Sequence, residues 1–224
     1  MNRLEFLKKG FSALGFAVVA PIVMEACRKT TDTSDPTACV NSPSETEGPY
    51  PTKSPTSYIR KDITNGSTGV ALAVNILIQN VNGGCTALEG ALVDIWHCDK
   101  DGNYSEYGSL TAVHFLRGRQ TTGTDGVAAF TTVFPGWYPG RAPHIHVHVY
   151  SATGKSLLVT QIAFPTDVCN TVYTTATNFN TRGKQNTSNT GDGIFADSLA
   201  SELATVSGSI SSGYTLTQTI KVSA

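Results

Sequence analysis

The chain has 224 residues, of which 40% are hydrophobic and 15% charged, with a net charge of −1. That length buries one well-packed domain, or at most two small ones. The near-neutral balance excludes a nucleic-acid protein, which would carry a basic footprint, and abundant Gly, Thr and Ser suit an all-β exported protein better than a helical cytosolic one.

Residues 1–27 read as an export signal. Arg3, Lys8 and Lys9 form a basic start, and residues 11–24 form an apolar stretch too short to span a membrane comfortably. Met24-Glu25-Ala26-Cys27 resembles a lipoprotein cleavage box, with Glu25 as its departure, so Cys27 is the expected point of a lipid tether to the membrane. The expected location is the periplasm or cell envelope. Residues 28–44, rich in Thr, Ser, Asp and Pro, read as a flexible tether. Residues 45–224 then form the folded domain. Setting Cys27 aside leaves Cys39, Cys85, Cys98 and Cys169. An even count in an exported chain predicts two disulfides, with the connectivity open. A pair between Cys85 and Cys98 is disfavoured because they bracket a strand.

The domain reads as strand and turn in succession. Strands are expected over residues 70–79, 91–97, 126–133, 157–164 and 214–222, separated by Asn82-Gly83-Gly84, Asp101-Gly102-Asn103 and Asp125-Gly126 turns. A helix is expected only over residues 194–206. Many short strands and frequent turns predict a single antiparallel β-sandwich with a short helix near the C-terminus.

Chemistry concentrates in residues 135–150. Two Pro-Gly breakers open a loop carrying Tyr138 and Arg141, and His144-Ile145-His146-Val147-His148-Val149 follows with strict alternation. The imidazoles share one face of a strand at intervals of roughly 7 Å. Adjacent ones, His144 and His146, can converge on one metal ion, whereas His144 and His148 stand roughly 13 Å apart. Imidazole alone does not choose among Zn, Cu, Fe and Ni. A second phenol, Tyr104, follows the turn after Trp96-His97-Cys98-Asp99.

Trp96-His97-Cys98-Asp99, Gly102-Asn103-Tyr104-Ser105 and Pro135-Gly136-Trp137-Tyr138-Pro139-Gly140-Arg141-Ala142-Pro143-His144-Ile145-His146 together resemble the intradiol ring-cleavage dioxygenases, the catechol and protocatechuate dioxygenases and their small exported relatives. Thr46-Glu47-Gly48-Pro49-Tyr50 resembles their substrate-side loop; Phe115-Leu116-Arg117-Gly118 and Asp192-Gly193-Ile194-Phe195-Ala196-Asp197 fit the exported subgroup. The resemblance implies the intradiol type of β-sandwich. It also implies a non-haem Fe(III) held by Tyr104, Tyr138, His144 and His146, with Arg141 beside the substrate and Gln161 as the active-site glutamine. The implied reaction takes a catechol-type aromatic and O2, and cuts the ring between the two hydroxyl-bearing carbons. Two phenolates are hard anionic donors that favour ferric iron, unlike the two-His-one-carboxylate set of Fe(II) oxygenases. His148 lies outside the motif, and His97 and His114 are read as structural.

Two departures stand out. Five residues separate Tyr138 from His144 where the better-known enzymes carry a longer loop, which leaves substrate specificity open. The helical dimerisation segment of the catechol dioxygenases is absent from this sequence, which leaves oligomeric state open. The competing reading is an exported β-sandwich binding module without dioxygenase activity, holding Zn, Cu or no metal, with Trp137 and Tyr150 as a carbohydrate platform.

Overall fold

The computed structural model describes residues 39–176 and 182–224. Nine strands are present among them: β1 (Ala71–Asn80), β2 (Thr86–Ala87), β3 (Leu92–Trp96), β4 (Arg117–Thr121), β5 (Val127–Val133), β6 (His144–Tyr150), β7 (Ser156–Ala163), β8 (Thr205–Ser209) and β9 (Gly213–Val222). Two helices accompany them, α1 (Thr166–Thr175) and α2 (Leu199–Glu202). The expected export signal, including Cys27, and residues 28–38 of the expected tether lie outside the described residues. From Cys39 on, that segment is bound to the domain by the Cys39–Cys85 disulfide and by reciprocal bonds between Ser42 and Lys221 of β9.

The strands form two sheets. In the five-stranded sheet β1 is central, flanked by β5 and β9, with β2 and β8 completing it. The four-stranded sheet has the order β4-β3-β6-β7. Pairing is antiparallel throughout except between β1 and β9, which run parallel. Leu72, Val74, Ile76 and Ile78 of β1 face Val93, Ile95, Ile145, Val147 and Val149 in one aliphatic core, as period-two alternation demands of strands buried on one face.

The expected strands are found with ends shifted by a residue or two. The expected helix over 194–206 is not: only Leu199–Glu202 is helical there, and Thr205 opens β8 instead. The longer helix, α1, begins directly after Pro165 and has a β-branched, Thr-rich sequence of modest intrinsic helix propensity. It forms because Cys169, Val172 and Tyr173 bury one face in the core, and Tyr173 Oη donates to Pro135 O at 2.9 Å. The expectation of two disulfides also fails. Cys98 and Cys169 are free and buried, Cys98 among Trp96 and Tyr104 and Cys169 in the main core, and the two clusters do not merge. Burial pushes the Cys98 thiol up to about 12 and leaves it inert.

Candidate metal and substrate site

The site lies on the outer face of the four-stranded sheet, away from the aliphatic core. Register places Arg117, Trp96, His146 and Gln161 in one row across β4, β3, β6 and β7, and Arg119, Asp94 and His148 in the next. An exposed sheet face would carry such residues in water. Here they are buried, because residues 45–60 and the loops after β3 and β5 cover them.

His144, His146, Tyr104 and Tyr138 converge. His144 Nε2 lies 3.1 Å from His146 Nε2, 3.1 Å from Tyr138 Oη and 3.3 Å from Tyr104 Oη, and His146 Nε2 lies 3.2 Å from Tyr104 Oη. His144 Nδ1 is 2.6 Å from Ala142 O, a group that only accepts, so the proton sits on Nδ1 and the Nε2 lone pair points into the cluster. His146 is stacked on Trp96, with ring centroids 5.0 Å apart and planes 1° from parallel. Its Nδ1 has no hydrogen-bond partner among the described residues. Burial drives both imidazoles toward the neutral form, His144 down to about 3 and His146 well below its ordinary value. Burial likewise raises the Tyr104 and Tyr138 phenols, which keeps them protonated when no cation is near.

Such a cluster fits a cation. The contacts of His144 Nε2 with the other three donor atoms, and of His146 Nε2 with Tyr104 Oη, are 3.1–3.3 Å, the spacing expected between ligands that each lie about 2 Å from one metal ion. Neutral imidazoles with inward lone pairs are ready ligands, and a cation reverses the phenol preference by displacing the proton. Among the described residues no group of three or more His, Cys, Asp and Glu side chains is placed to hold a metal. The donor set therefore depends on the two phenols.

The turn chemistry behind Tyr104 and Tyr138 is local. Asp99 Oδ1 accepts from the amides of Asp101 and Asn103, which closes the turn before Tyr104. Gly136 passes so close to the Asp99 and Lys100 backbone that a Cβ there would collide with it. This contact brings the Tyr138 loop against the Tyr104 loop.

Arg141 and Gln161 flank the cluster. Arg141 Nη2 donates to Gln161 Oε1 at 2.6 Å, and Arg141 Nε donates to Asp192 at 2.9 and 3.1 Å. Asp192, fully buried, also accepts from the amides of Ala142 and Ile194. Its carboxylate thus fixes the guanidinium and the chain just before His144. The sequence reading did not single out Asp192 as a site residue, and its signal was the acidic residue opening Asp192-Gly193-Ile194-Phe195. Arg117 was missed in the same way. It is wholly buried and donates to Ser105 O, Ser105 Oγ, Tyr50 O and Thr52 Oγ1, which ties the loop holding Tyr104 to residues 50–52.

The remaining histidines stand apart. His97 bridges Cys98 O and Thr132 Oγ1, linking β3 to β5. His114 is partly exposed beside Tyr58 and Glu106. His148 contacts Glu47, Ser156 and Tyr150 rather than the cluster. The carbohydrate platform does not form: Trp137 is buried in the core with its Nε1 donating to Gly183 O, and the Tyr150 ring is stacked on His148 at 3.9 Å.

A family model described as Dioxygenase matches residues 46–192. A chlorocatechol 1,2-dioxygenase of Rhodococcus opacus is 31% identical over 102 residues, covering 37% of this chain and 39% of that protein. One from Cupriavidus pinatubonensis is 28% identical over 111 residues, covering 42% of each. The matches to these curated relatives thus span about two fifths of their length. Among solved structures, an intradiol ring-cleavage dioxygenase from Tetranychus urticae superposes with a TM-score of 0.74 at 28% identity, covering 83% of this chain and 95% of that one. The dioxygenase domain of a dioxygenase–carbohydrate-binding fusion from Streptomyces sp. SirexAA-E superposes at 0.60 with 27% identity, covering 82% and 99%.

Proposed function

This chain belongs to the intradiol ring-cleavage dioxygenase family, and from that premise we propose that it is an Fe(III) enzyme that opens catechol-type rings with O2. The observation that carries the reading is the meeting of Tyr104, Tyr138, His144 and His146 donor atoms at 3.1–3.3 Å, with Arg141 alongside. The chemistry a ferric ion supplies when bound is chelation of both catecholate oxygens and activation of the ring toward O2. Catechol plus O2 then yields a ring-opened dicarboxylic acid that contains both oxygen atoms.

The chain's own residues divide the work. Tyr104 is buried, with the Tyr50 ring stacked over it at 4.9 Å and Arg117 behind it, so it stays in place. Tyr138 is only partly buried, in a Gly/Pro loop, and is the phenolate free to swing out and accept a proton from an incoming catechol hydroxyl. Arg141, held by Asp192 and Gln161, presents fixed positive charge where the substrate becomes anionic. The Cys39–Cys85 disulfide is the chemistry of an oxidising compartment and supports an exported protein. The lipid tether at Cys27 remains part of this proposal. Replacing Cys27 with Ser would shift the protein into the soluble fraction.

The test is aerobic purification with iron supplied, followed by metal analysis, a visible spectrum and O2 uptake with catechol. About one iron per chain, a red to burgundy ferric-tyrosinate colour and one O2 consumed per catechol are expected. A colourless, zinc-loaded protein would sink the iron assignment. Normal iron without O2 uptake across a panel of catechols would sink the enzyme assignment. Tyr138→Phe should retain most of its iron and the colour contributed by Tyr104, whereas Tyr104→Phe should lose more of both. Resonance Raman with and without catechol reads which tyrosinate is displaced.

A further inference from the structure

Residues 45–50 form no strand, yet they cross the outer face of the four-stranded sheet from edge to edge. At β7, Glu45 N donates to Val159 O at 2.8 Å and Gln161 Nε2 donates to Thr46 O at 2.9 Å. At β4, Arg117 Nη1 donates to Tyr50 O at 2.9 Å. Between these anchors Gly48 rests against the His146 ring: a Cβ added there would lie 3.0 Å from Cε1. Its φ of +68° is a conformation glycine adopts without strain. The strap is therefore a roof over the donor cluster. Gly48 has no side chain to hold it at its height, so that height depends on its neighbours.

We propose that Glu47 is a positioning residue whose bond to His148 latches this strap over His146 and so sets how tightly a catecholate is held. The proposal deepens the dioxygenase reading and rests on it for the identity of the ligand. Glu47 Oε1 lies 2.9 Å from His148 Nδ1. The imidazole is a fixed post: its Nε2 meets Ser156 Oγ at 2.8 Å, and the Tyr150 ring lies over it at 3.9 Å with its Oη 2.9 Å from the same Nδ1 that Glu47 approaches. Asp94, opposite His148 on β3, is paired with Arg119, so the neighbouring charges are already satisfied. Glu47 is the accessible partner, with 44% of its side chain exposed, whereas Gln161 and Arg117 at the two ends are buried. The strap is thus pinned firmly at both edges of the sheet and through one accessible carboxylate at its centre. Releasing that carboxylate frees Gly48 to rise off His146 and blurs one wall of the space beside the cluster.

The experiment compares the full chain with Glu47→Ala and Glu47→Gln, each loaded with iron. Spectral titration with 4-nitrocatechol reads affinity, and hydrogen exchange at residues 46–50 reads the strap directly, with or without metal. Glu47→Ala should bind the probe about tenfold more weakly, the lower end for a lost charge-assisted bond at a partly exposed site, and strap amides should exchange faster. Glu47→Gln keeps an oxygen at the same reach and should stay within about threefold of the parent. Iron content and tyrosinate colour should be unchanged in both. Unchanged probe affinity in Glu47→Ala overturns the proposal, as does weaker binding without faster strap exchange, or a Gln variant as impaired as the Ala variant. If the parent binds iron and probe but consumes no O2, the dioxygenase reading fails while the latch is still judged by affinity. If the parent takes no iron, unchanged strap exchange in Glu47→Ala overturns the latch.

Discussion

The two sheets use the same alternation to opposite ends. In the five-stranded sheet, β1 sends Leu72, Val74, Ile76 and Ile78 into the core and leaves Ala71 exposed and Ala73, Asn75 and Leu77 half-covered on the other side. In the four-stranded sheet both faces are buried. Ile145, Val147 and Val149 serve the core, while His144, His146 and His148 lie under loops and the strap. One sheet is scaffold; the other is scaffold on one face and chemistry on the other. Polar side chains under cover keep the geometry and lose the water, and the neutral imidazoles follow from that.

The largest effect should come from removing a side chain on the chemical face. His146→Ala takes away one of four converging donors and should weaken iron binding by more than about a hundredfold, beyond the loss typical of a residue that merely supports a ligand. Metal analysis after dialysis against a graded chelator measures it. Retention of full iron in that variant would mean the face is not the metal site.

Asp192→Asn tests support rather than ligation. The amide has one acceptor oxygen where the carboxylate has two, so it keeps only one of the bonds from the Ala142 and Ile194 amides and no longer carries the charge that holds Arg141. Activity, read as kcat/KM for catechol, should fall about a hundredfold with iron content unchanged. An unaltered kcat/KM would remove Arg141 positioning from the account.

Glu202 lies where β7 meets α2, with Oε2 accepting from Ser198 and Oε1 reached by Thr160. Burial, with smaller help from Glu45 and Asp197, raises its carboxyl from 4.5 to about 7. The folded protein therefore holds this proton more tightly than the unfolded chain. Its contribution to stability is greatest below about pH 4.5, falls as pH climbs, and the full penalty is present above about 7. Between those limits the slope attributable to this one group approaches 1.4 kcal/mol per pH unit, and Glu202→Gln should abolish it. Denaturant titrations of both proteins from pH 5 to 8 check the difference, and parallel curves would refute it.

The smallest effect should be on the scaffold sheet. Ile76→Val deletes one buried methylene and should cost about 0.5–1.5 kcal/mol of stability. Iron content and catechol turnover should not change. If they did, the two sheets would be coupled more closely than their faces suggest.

Sequence alone determined much of this molecule, because much of it is local. Alternation marked β1, β3, β5, β6, β7 and β9, and the His-x-His spacing put two imidazoles on one face, since side-chain direction in a strand depends only on parity. Asp-Gly and Pro-Gly punctuation marked the loops that carry Tyr104 and Tyr138. What depended on distant partners was not legible. Arg117-Gly118-Arg119-Gln120 has no alternating apolar face, yet it is β4, because its arginines are paid for by Asp94 on β3 and by Tyr50 and Ser105 in covering loops. Helix α1 exists through Tyr173 and Val172 packing rather than propensity. The pairing of Cys39 with Cys85, and the isolation of Cys98 from Cys169, were decided by which sulfurs the fold brings together. The meeting of residues from 104, 138, 144 and 146, roofed by Gly48 and braced by Asp192, is a fact of register and loop packing. Only the folded chain brings such separated positions into contact around the His144 ring.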